Sequence, residues 1–421
     1  MSAKQKILVV VESIDVEDSS GAKANLALII NLQSSGYHLK VLHYTRKDIQ
    51  ISGIECVAVK ENRRSLYFYL SRLERQIRYI LKIKLSKPLE NIFGFSFTLF
   101  NDRDSIVSAL KVLDFSKFDL VLTLSQGGRF RPHHALLKLP HLHNKWMAYI
   151  HDPYPMHLYP EPYPWKEPGY KIKSEFMEEV SIKAAFHAFP SKLLMKWMGN
   201  YFEGYSKKGV VVPHQILEEQ FNLEITPNYF DASKFNIVHS GNLLWGRDPK
   251  GLINGYLKFI NNIPEAEDES CLMFLGGKNH YTKQLLHYHG KYHSIYVSGN
   301  YVPFEETQYI QKESAVNVIL EAKAKTSPFL PGKFPHCVLA NKPILLLGPP
   351  VSESRRLLGE DYRFWSEIDS EEIIADLIGE LYRDWKLKSG NLSLNRPDLE
   401  NYLSEDHLRS VVNKVFQKIE S

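Results

Sequence analysis

Short, unbroken runs of apolar residues alternate along this chain with longer stretches in which apolar residues recur every three or four positions. An apolar run bounded by turn residues is typical of a buried parallel strand, and the longer periodic stretches are typical of amphipathic helices. The chain begins in this way, with the strand Ile7–Val11, a helix through Leu32 and the strand Leu39–Tyr44. This order predicts the mononucleotide-binding half of a doubly wound sheet.

The same alternation continues to Pro213. Its predicted strands are Asp119–Thr123, Trp146–Ile150 and Val210–Pro213, and its predicted helices are Leu66–Leu85, Glu175–Ala188 and Lys192–Phe202. The loop Ser125–Arg129 and residue His151 each follow a strand directly, at the edge where open α/β sheets bind ligands. His151 is therefore a candidate site residue, and the alternative is a histidine satisfied by backbone groups at a strand end.

The stretch Tyr154–Tyr170 is dense in tyrosine, proline and tryptophan. Proline at this density excludes a regular helix or a central strand, so we expect a stiff loop. Its aromatic faces suit stacking on a sugar ring or a lipid headgroup, and they suit a packed surface loop equally well.

The second half repeats the pattern of the first. Its predicted strands are Asn236–His239, Leu272–Leu275, Ser294–Val297, Val316–Leu320 and Ile344–Leu347, and its predicted helices are Lys250–Ile260, Glu305–Lys312, Phe334–Ala340, Ser370–Leu387 and Arg396–Ile419. Two Rossmann-like domains are thus expected, with a boundary just beyond Pro213. A length of 421 residues agrees with two domains.

The net charge and the cysteine content indicate which classes of protein this chain can belong to. A net charge of +4 does not indicate a nucleic-acid binder. Cys56, Cys271 and Cys337 stand far apart without metal-ligand spacing, so we expect reduced thiols and a cytoplasmic location. Lys4 and Lys6 precede only a short apolar run, which predicts a strand and no secretory signal. No apolar run approaches the ~20 residues of a membrane span.

The predicted helix Leu66–Leu85 combines an apolar face with many cations. The basic residues in this region are Lys60, Arg63, Arg64, Arg72, Arg75, Arg78, Lys82, Lys84 and Lys87, and only Glu61 and Glu74 oppose them. A basic amphipathic helix is typical of binding to an anionic membrane surface, here through residues 60–90. The alternative is a core-packed helix with a solvated basic face.

The stretch Ser327–Gly348 places Lys333 at the start of a predicted helix, followed by a tight turn and the buried strand Ile344–Leu347. A helix N-terminus with an adjacent lysine suits a phosphate group. The residues alone also fit an ordinary αβ unit with a solvated lysine.

This stretch resembles the donor-site signature of GT-B glycosyltransferases, most closely the retaining family 4. The likeness lies in Pro331-x-Lys333 and in Lys342-Pro343-Ile344-Leu345. The loop Gly241-Asn242-Leu243 with Arg247 is similar to a second motif of that family, and Ser20-Gly21 resembles its glycine pair in part. The chain departs from the pattern at His336, where the family has glutamate, and at Asn341, where it has glycine.

The resemblance implies a GT-B fold, with two Rossmann-like domains facing each other across a cleft. Residues 1–213 would form the acceptor-side domain, residues 214–399 the donor domain, and part of 400–421 would pack back on the first domain. The implied activity is that of a hexosyltransferase, moving a sugar from a nucleoside-diphosphate sugar to a glycan or lipid-linked acceptor in cell-surface polysaccharide or glycoconjugate synthesis. The reaction would be retaining and metal-independent, without a cofactor, and a UDP-sugar is favoured over a GDP-sugar.

The resemblance, together with the positions at strand ends and in the aromatic loop, indicates candidate site residues. The catalytic candidates are Arg247, Lys333 and His151; the donor-binding candidates are Gly21, Gly241, Asn242, Lys250, Gly277, Tyr301, Val302, Pro331, Gly332, Phe334 and His336; the acceptor candidates are Asp152, Tyr154 and Arg129. No Asp-x-Asp pair stands where it could hold a divalent ion, so no metal is expected. The alternative is a catalytically silent, sugar-nucleotide-binding scaffold, motivated by His336. An epimerase would need a carboxylate pair that the sequence does not offer.

Overall fold

The computed structural model describes residues 5–216 and 226–420. The chain divides into two compact units: the first comprises Met1–Tyr159, Tyr163–Gln215 and Leu403–Ser421, and the second comprises Pro160–Pro162 and Ile216–Tyr402. The domains 1–213 and 214–399 remain a prediction, and their residues 1–4 and 217–225, like residue 421, lie outside the described residues.

The first unit is built on a seven-stranded sheet. Its strands are β1 (Lys6–Val11), β2 (His38–His43), β3 (Glu55–Ala58), β4 (Leu120–Leu124), β5 (Trp146–Tyr149), β6 (Phe186–Phe189) and β7 (Gly209–Val211). They lie in the order β3-β2-β1-β4-β5-β6-β7, and all the pairings are parallel. This is the Rossmann order extended by one strand.

Helices surround this sheet. They are α1 (Ser20–Ser34), α2 (Leu66–Ile80), α3 (Ser86–Phe93), α4 (Phe97–Leu110), α5 (Arg131–Leu137), α6 (Tyr170–Lys183), α7 (Lys192–Gly199) and α8 (Glu203–Lys207). Serine hydroxyls set several of the starts: Ser19 accepts a hydrogen bond from the Ala22 amide at 3.1 Å, and Ser191 accepts one from the Leu194 amide at 2.8 Å.

The second unit holds a six-stranded parallel sheet in the order β10-β9-β8-β11-β13-β15. The strands of this unit are β8 (Phe235–Ser240), β9 (Ser270–Leu275), β10 (Ile295–Val297), β11 (Val316–Leu320), β12 (Thr326–Ser327), β13 (Ile344–Leu347), β14 (Val351–Ser352) and β15 (Trp365–Ser366), of which β12 and β14 pair with each other. Its strand order is again that of a Rossmann sheet. The carboxyl ends of β8, β9 and β11 therefore lie side by side.

The helices of the second unit are α9 (Lys250–Asn262), α10 (Ala266–Glu269), α11 (Thr282–Lys291), α12 (Phe304–Glu313), α13 (Phe334–Leu339), α14 (Glu353–Leu358), α15 (Glu371–Leu387) and α16 (Pro397–Tyr402). The last helix of the chain, α17 (Glu405–Glu420), belongs to the first unit and packs beside α1. There the Tyr37 hydroxyl donates to Asn413 Oδ1 at 2.7 Å, and Arg409 Nε donates to the Ser35 carbonyl at 3.0 Å. The predicted return of the C-terminal helix to the first domain's fold is confirmed.

Three predicted helices differ most from the structure. The helix predicted over Leu66–Leu85 ends at Ile80, and Lys82 adopts a left-handed φ of 57°. The helix predicted over Glu175–Ala188 ends at Lys183, because Phe186–Phe189 is a buried strand between β5 and β7. The helix predicted over Arg396–Ile419 is broken between α16 and α17. No helix among the described residues is both long and apolar enough to cross a membrane.

Candidate active site

Two glycine-bearing turns meet at the carboxyl edge of the second sheet. Gly241 follows β8 with φ +100°, and its amide donates to the Leu275 carbonyl of β9 at 2.7 Å. A Cβ atom on Gly276 would lie 2.8 Å from the Gly241 carbonyl oxygen. A side chain at either position would therefore strain the backbone or collide with the neighbouring turn. Glycines here leave the edge of the sheet open for a ligand, beside the predicted donor residues Asn242 and Gly277.

Lys333 reaches this edge from the loop before α13. Its Nζ lies 2.8 Å from Nε2 of His239, the buried histidine near the end of β8. Its Cε lies 4.0 Å from where a Cβ on Gly241 would stand. The structure thus brings together the lysine and the glycine turn that the sequence assigns to one donor site.

The environment of Lys333 favours its neutral amine over the charged ammonium form. Burial, with a smaller contribution from the charge of Arg247, lowers the pKa of Lys333 to about 7. Burial, together with the positive charges of Lys333 and Arg247, holds the pKa of His239 well below its usual range. His239 is therefore neutral near pH 7 and can accept a hydrogen bond from the lysine.

Arg247 stands in the turn between β8 and α9. It is half-buried, and its Nε is enclosed without a hydrogen-bond partner in the described part of the chain. A buried guanidinium N–H without an acceptor is costly, and a bound anion would satisfy it. Since Arg247 also affects the pKa of both His239 and Lys333, the three side chains form one electrostatic cluster.

Glu321 joins this cluster, although the sequence did not mark it as a site residue. It follows β11 directly and is 2% exposed. Its Oε1 accepts a hydrogen bond from the Ser354 hydroxyl at 2.6 Å, while its Oε2 is buried without a partner in the described ranges. Burial raises the pKa of Glu321, against the opposing effects of nearby serine hydroxyls and Arg247. The strand before it contains the polar Asn317, so the local sequence offers no distinctive signal for this carboxylate.

His336 packs against α12. Its Nδ1 is 3.3 Å from Nε2 of Gln308, and its ring meets the edge of Phe304 at 5.1 Å between centroids; both partners are on α12. Tyr301, which is exposed, and the half-buried Val302 precede this helix directly.

The other predicted donor residues differ in their exposure. Lys250 opens α9 and is exposed, as is Gly332. Pro331 is buried, and the fully buried Phe334 ring belongs to the core. The Phe334 amide donates to the Pro331 carbonyl at 2.8 Å, so its ring is buried and its amide is already hydrogen-bonded.

The short helix α13 ends in a turn that suits its sequence. Asn341 adopts a left-handed φ of 50°, in the place where the family pattern has glycine. Asparagine tolerates this conformation better than most residues, which explains how the departure is accommodated.

In the first unit, His151 is held in a buried network. Its Nε2 lies 2.8 Å from the Asn25 side-chain oxygen, and its amide donates to the Ser125 hydroxyl at 3.2 Å. Burial, with smaller contributions from the neighbouring His214 and His133, holds the pKa of His151 well below its usual range. The ring is therefore neutral near pH 7. Asn25, which orients it, was not a sequence candidate.

A cleft of about 500 Å³ opens at the carboxyl edge of the first sheet. The predicted acceptor residue Arg129 lines it and is exposed, 3.8 Å from Asp18. Gly21 adjoins it, since a Cβ there would lie 3.1 Å from Cγ of Gln126 in the cleft wall.

The other two predicted acceptor residues lie differently. Tyr154 is 4% exposed and packs in the core against Phe130, whereas Asp152 is half-buried. Arg129 is thus the acceptor candidate that the structure leaves accessible in the cleft. Across residues 5–216 and 226–420, no group of three or more His, Cys, Asp or Glu side chains could hold a metal ion.

Solved structures with this architecture match the chain over nearly its whole length. The N-terminal domain of a trehalose-6-phosphate phosphatase from Candida albicans gives a TM-score of 0.64 at 13% identity, covering 100% of this chain and 98% of that one. A glycosyltransferase from Rickettsia africae gives 0.61 at 13% identity, covering 99% of each. An E. coli structure described as trehalose-6-phosphate bound with UDP-2-fluoro glucose gives 0.60 at 12% identity, covering 98% and 99%.

These likenesses concern the fold. The predicted GT-B fold class is confirmed, since full-length matches reach TM-scores above 0.5. The chain matches no protein-family model, and a search of curated proteins gives no match. The narrower likeness to the retaining family 4 therefore rests on the sequence motifs alone.

Proposed function

We propose that this protein is a glycosyltransferase that moves a sugar from a nucleoside-diphosphate sugar, preferably a UDP-sugar, to a glycan or lipid-linked acceptor. The observation that carries the proposal is the position of Lys333 and Arg247 beside the glycine turns at Gly241 and Gly276-Gly277. Two cations next to an edge cleared of side chains suit a diphosphate. The E. coli structure with UDP-2-fluoro glucose has the same fold and supports a UDP-sugar.

The proposed chemistry follows from the leaving group. The bond between the anomeric carbon and the β-phosphate oxygen breaks, and negative charge builds on the departing diphosphate. Fixed positive groups stabilise this charge in the transition state. Lys333 and Arg247 would fill that role, while the acceptor hydroxyl oxygen would bond to the anomeric carbon and its proton would pass to the departing phosphate oxygen. As the likeness to family 4 implies, we infer retention of configuration, no metal ion and a place in cell-surface polysaccharide or glycoconjugate synthesis.

A ligand screen followed by a turnover assay tests this proposal. The melting temperature of the full chain is measured with UDP, GDP, ADP and their sugars, since a ligand at a hundred times its Kd adds about 2.7 kcal/mol of apparent stability. Release of the nucleoside diphosphate on adding acceptor supports the enzyme. Tight binding without release in any acceptor mixture supports the silent scaffold, and no stabilisation by any nucleotide contradicts both functions.

We expect His336→Ala to weaken donor binding by about threefold to tenfold, the usual effect of losing one hydrogen bond. His336→Glu is expected to preserve or improve binding, because it restores the residue that holds the ribose in family 4. Calorimetry measures the donor Kd, and the melting temperature shows whether each variant is folded. Leu339→Ala, on the same short helix and partly exposed, is the matched control. Unchanged affinity in a stable His336→Ala protein contradicts the ribose role.

A chelator is expected to leave turnover unchanged, because the cations of Lys333 and Arg247 neutralise the leaving diphosphate in this proposal. The assay compares initial rates before and after EDTA treatment, with the chelator's effect on the detection system as its control. Loss of activity that magnesium or manganese restores would show that the reaction needs a metal.

A further inference from the structure

The segment from Leu66 to Phe93 exposes much apolar surface. Nine of the twenty-two large apolar side chains exposed in the described ranges lie in it: Leu66, Tyr69, Leu73, Tyr79, Ile80, Leu81, Ile83, Ile92 and Phe93. Exposed apolar residues scattered singly need no explanation, whereas a concentration of this kind marks an interaction site.

One side of α2 packs against the rest of the first unit, as the core-packed alternative predicts, but this packing covers only the first part of the helix. The Tyr67 ring packs on Phe100 of α4 at 5.3 Å between centroids, and Ser71 is buried. Tyr79 and Ile80, at the end of the helix, are 79% and 70% exposed. The packing on α4 therefore leaves the end of α2 and the loop after it uncovered.

Cations lie among these apolar side chains. Arg72, Arg78, Lys82, Lys84 and Lys87 are exposed. In the loop, Leu81-Lys82-Ile83-Lys84 alternates apolar and basic residues, and Leu81 is 60% exposed.

The acidic residues of this region do not cancel that charge. Glu61 lies 3.8 Å from Arg72, and Glu90 lies 3.4 Å from the otherwise buried Lys173. Glu74 is half-buried on α2. The exposed surface around residues 78–87 is therefore strongly positive.

We propose that the end of α2, the loop after it and α3 dock on an anionic lipid surface. Apolar side chains would enter the boundary between headgroups and acyl chains, while the arginines and lysines stay at the level of the phosphates. The tyrosines fit the same depth, since their rings are apolar and their hydroxyls polar. This combination matches a lipid interface better than a protein interface, whose centre is depleted of charge. The inference does not depend on the proposed glycosyl transfer.

Sedimentation of the full chain with vesicles tests the proposal. One set contains phosphatidylcholine and phosphatidylglycerol in equal amounts, and the other contains phosphatidylcholine alone. We expect binding to the first set only, weakened by added salt. The variant Arg78→Glu/Lys82→Glu/Lys84→Glu should bind more than about a hundredfold more weakly, because each basic residue contributes a factor of about five. Ile80→Ser/Leu81→Ser/Ile83→Ser should also lose binding.

A matched charge change elsewhere on the first unit provides the control. Lys138→Glu/Lys171→Glu/Lys196→Glu reverses three exposed lysines outside the segment and should bind nearly as the wild type does. Failure of the wild type to sediment with anionic vesicles overturns the proposal, as does undiminished binding by the segment's charge variant. A serine variant that binds vesicles normally but changes its oligomeric state would assign the apolar surface to a protein interface instead. Donor affinity, measured on the same variants without vesicles, should be unchanged, which separates this test from that of the proposed function.

Discussion

Replacing Lys333 with alanine is expected to lower kcat/KM for the donor sugar by about a hundredfold to a thousandfold, or ~3 kcal/mol of transition-state stabilisation. The lysine lies against Gly241 and His239, at the point where the diphosphate would sit. Arg247→Ala should have a similar effect, because its buried Nε has no partner among the described residues and a diphosphate would supply one. Initial rates at varied donor concentration measure both losses.

The matched control is Lys325→Ala, which removes an exposed lysine from the neighbouring β11–β12 connection and should leave the rate unchanged. Turnover close to wild type in a folded Lys333→Ala protein would remove this residue from the site.

The lowered pKa of Lys333 predicts that donor binding is coupled to the uptake of a proton. With a pKa of about 7 in the free protein, Lys333 is mostly neutral at pH 8. A bound diphosphate favours the ammonium form and raises that pKa, so donor binding at pH 8 should take up a proton. Calorimetry in two buffers of different ionisation enthalpy measures the uptake, and Lys333→Ala should abolish it. Binding by the wild type without proton exchange would show that the lysine is already charged.

Replacing Arg131 with alanine is expected to destabilise the first unit by about 3–5 kcal/mol. Its Nε donates to Asp102 at 2.7 Å and its Nη1 donates to Glu12 at 2.8 Å. The two carboxylate side chains are 0% and 2% exposed. Removing the guanidinium leaves both as unpaired buried charges, a far larger cost than the loss of a surface ion pair. Urea denaturation followed by circular dichroism measures the change.

Two further variants make this test specific. Lys207→Ala breaks an exposed ion pair with Glu203 and should change stability little. Adding Glu12→Gln and Asp102→Asn to Arg131→Ala should recover part of the loss, because the buried charges are then removed. An Arg131→Ala protein as stable as the wild type would mean that water reaches both carboxylates.

The sequence correctly predicted strands that are marked by the apolar residues of the segment itself. Ile7–Val11 and Ile344–Leu347 are unbroken apolar runs, and both are strands in the structure. Such runs are buried on both faces in a parallel sheet, so their order along the chain was enough to predict two Rossmann-like sheets. The likeness around Lys333 and Gly241 likewise placed two residues that the structure brings together.

The predicted ends of helices were wrong where packing between segments distant in sequence outweighs the local pattern of apolar residues. Phe186–Phe189 continues the helical pattern before it, but it becomes a strand because β5 and β7 bury it on both sides. The predicted long helix ends at Ile80, where Leu81 and Ile83 are exposed, so burial does not hold the helix beyond this point and Lys82 turns with a left-handed φ.

The partners of the candidate site residues were decided by tertiary structure alone. His239 meets Lys333 across 94 positions of sequence, and Asn25 meets His151 across 126. Nothing in the residues around His239 or Glu321 distinguishes a site residue from any polar residue that ends a strand. Only the order of the parallel strands brings their carboxyl ends to one edge, and burial there, with the nearby charge of Arg247, lowers the pKa of Lys333. The sequence by itself determined the central strands of the two sheets, and the folded arrangement decided which of their end residues share one electrostatic environment.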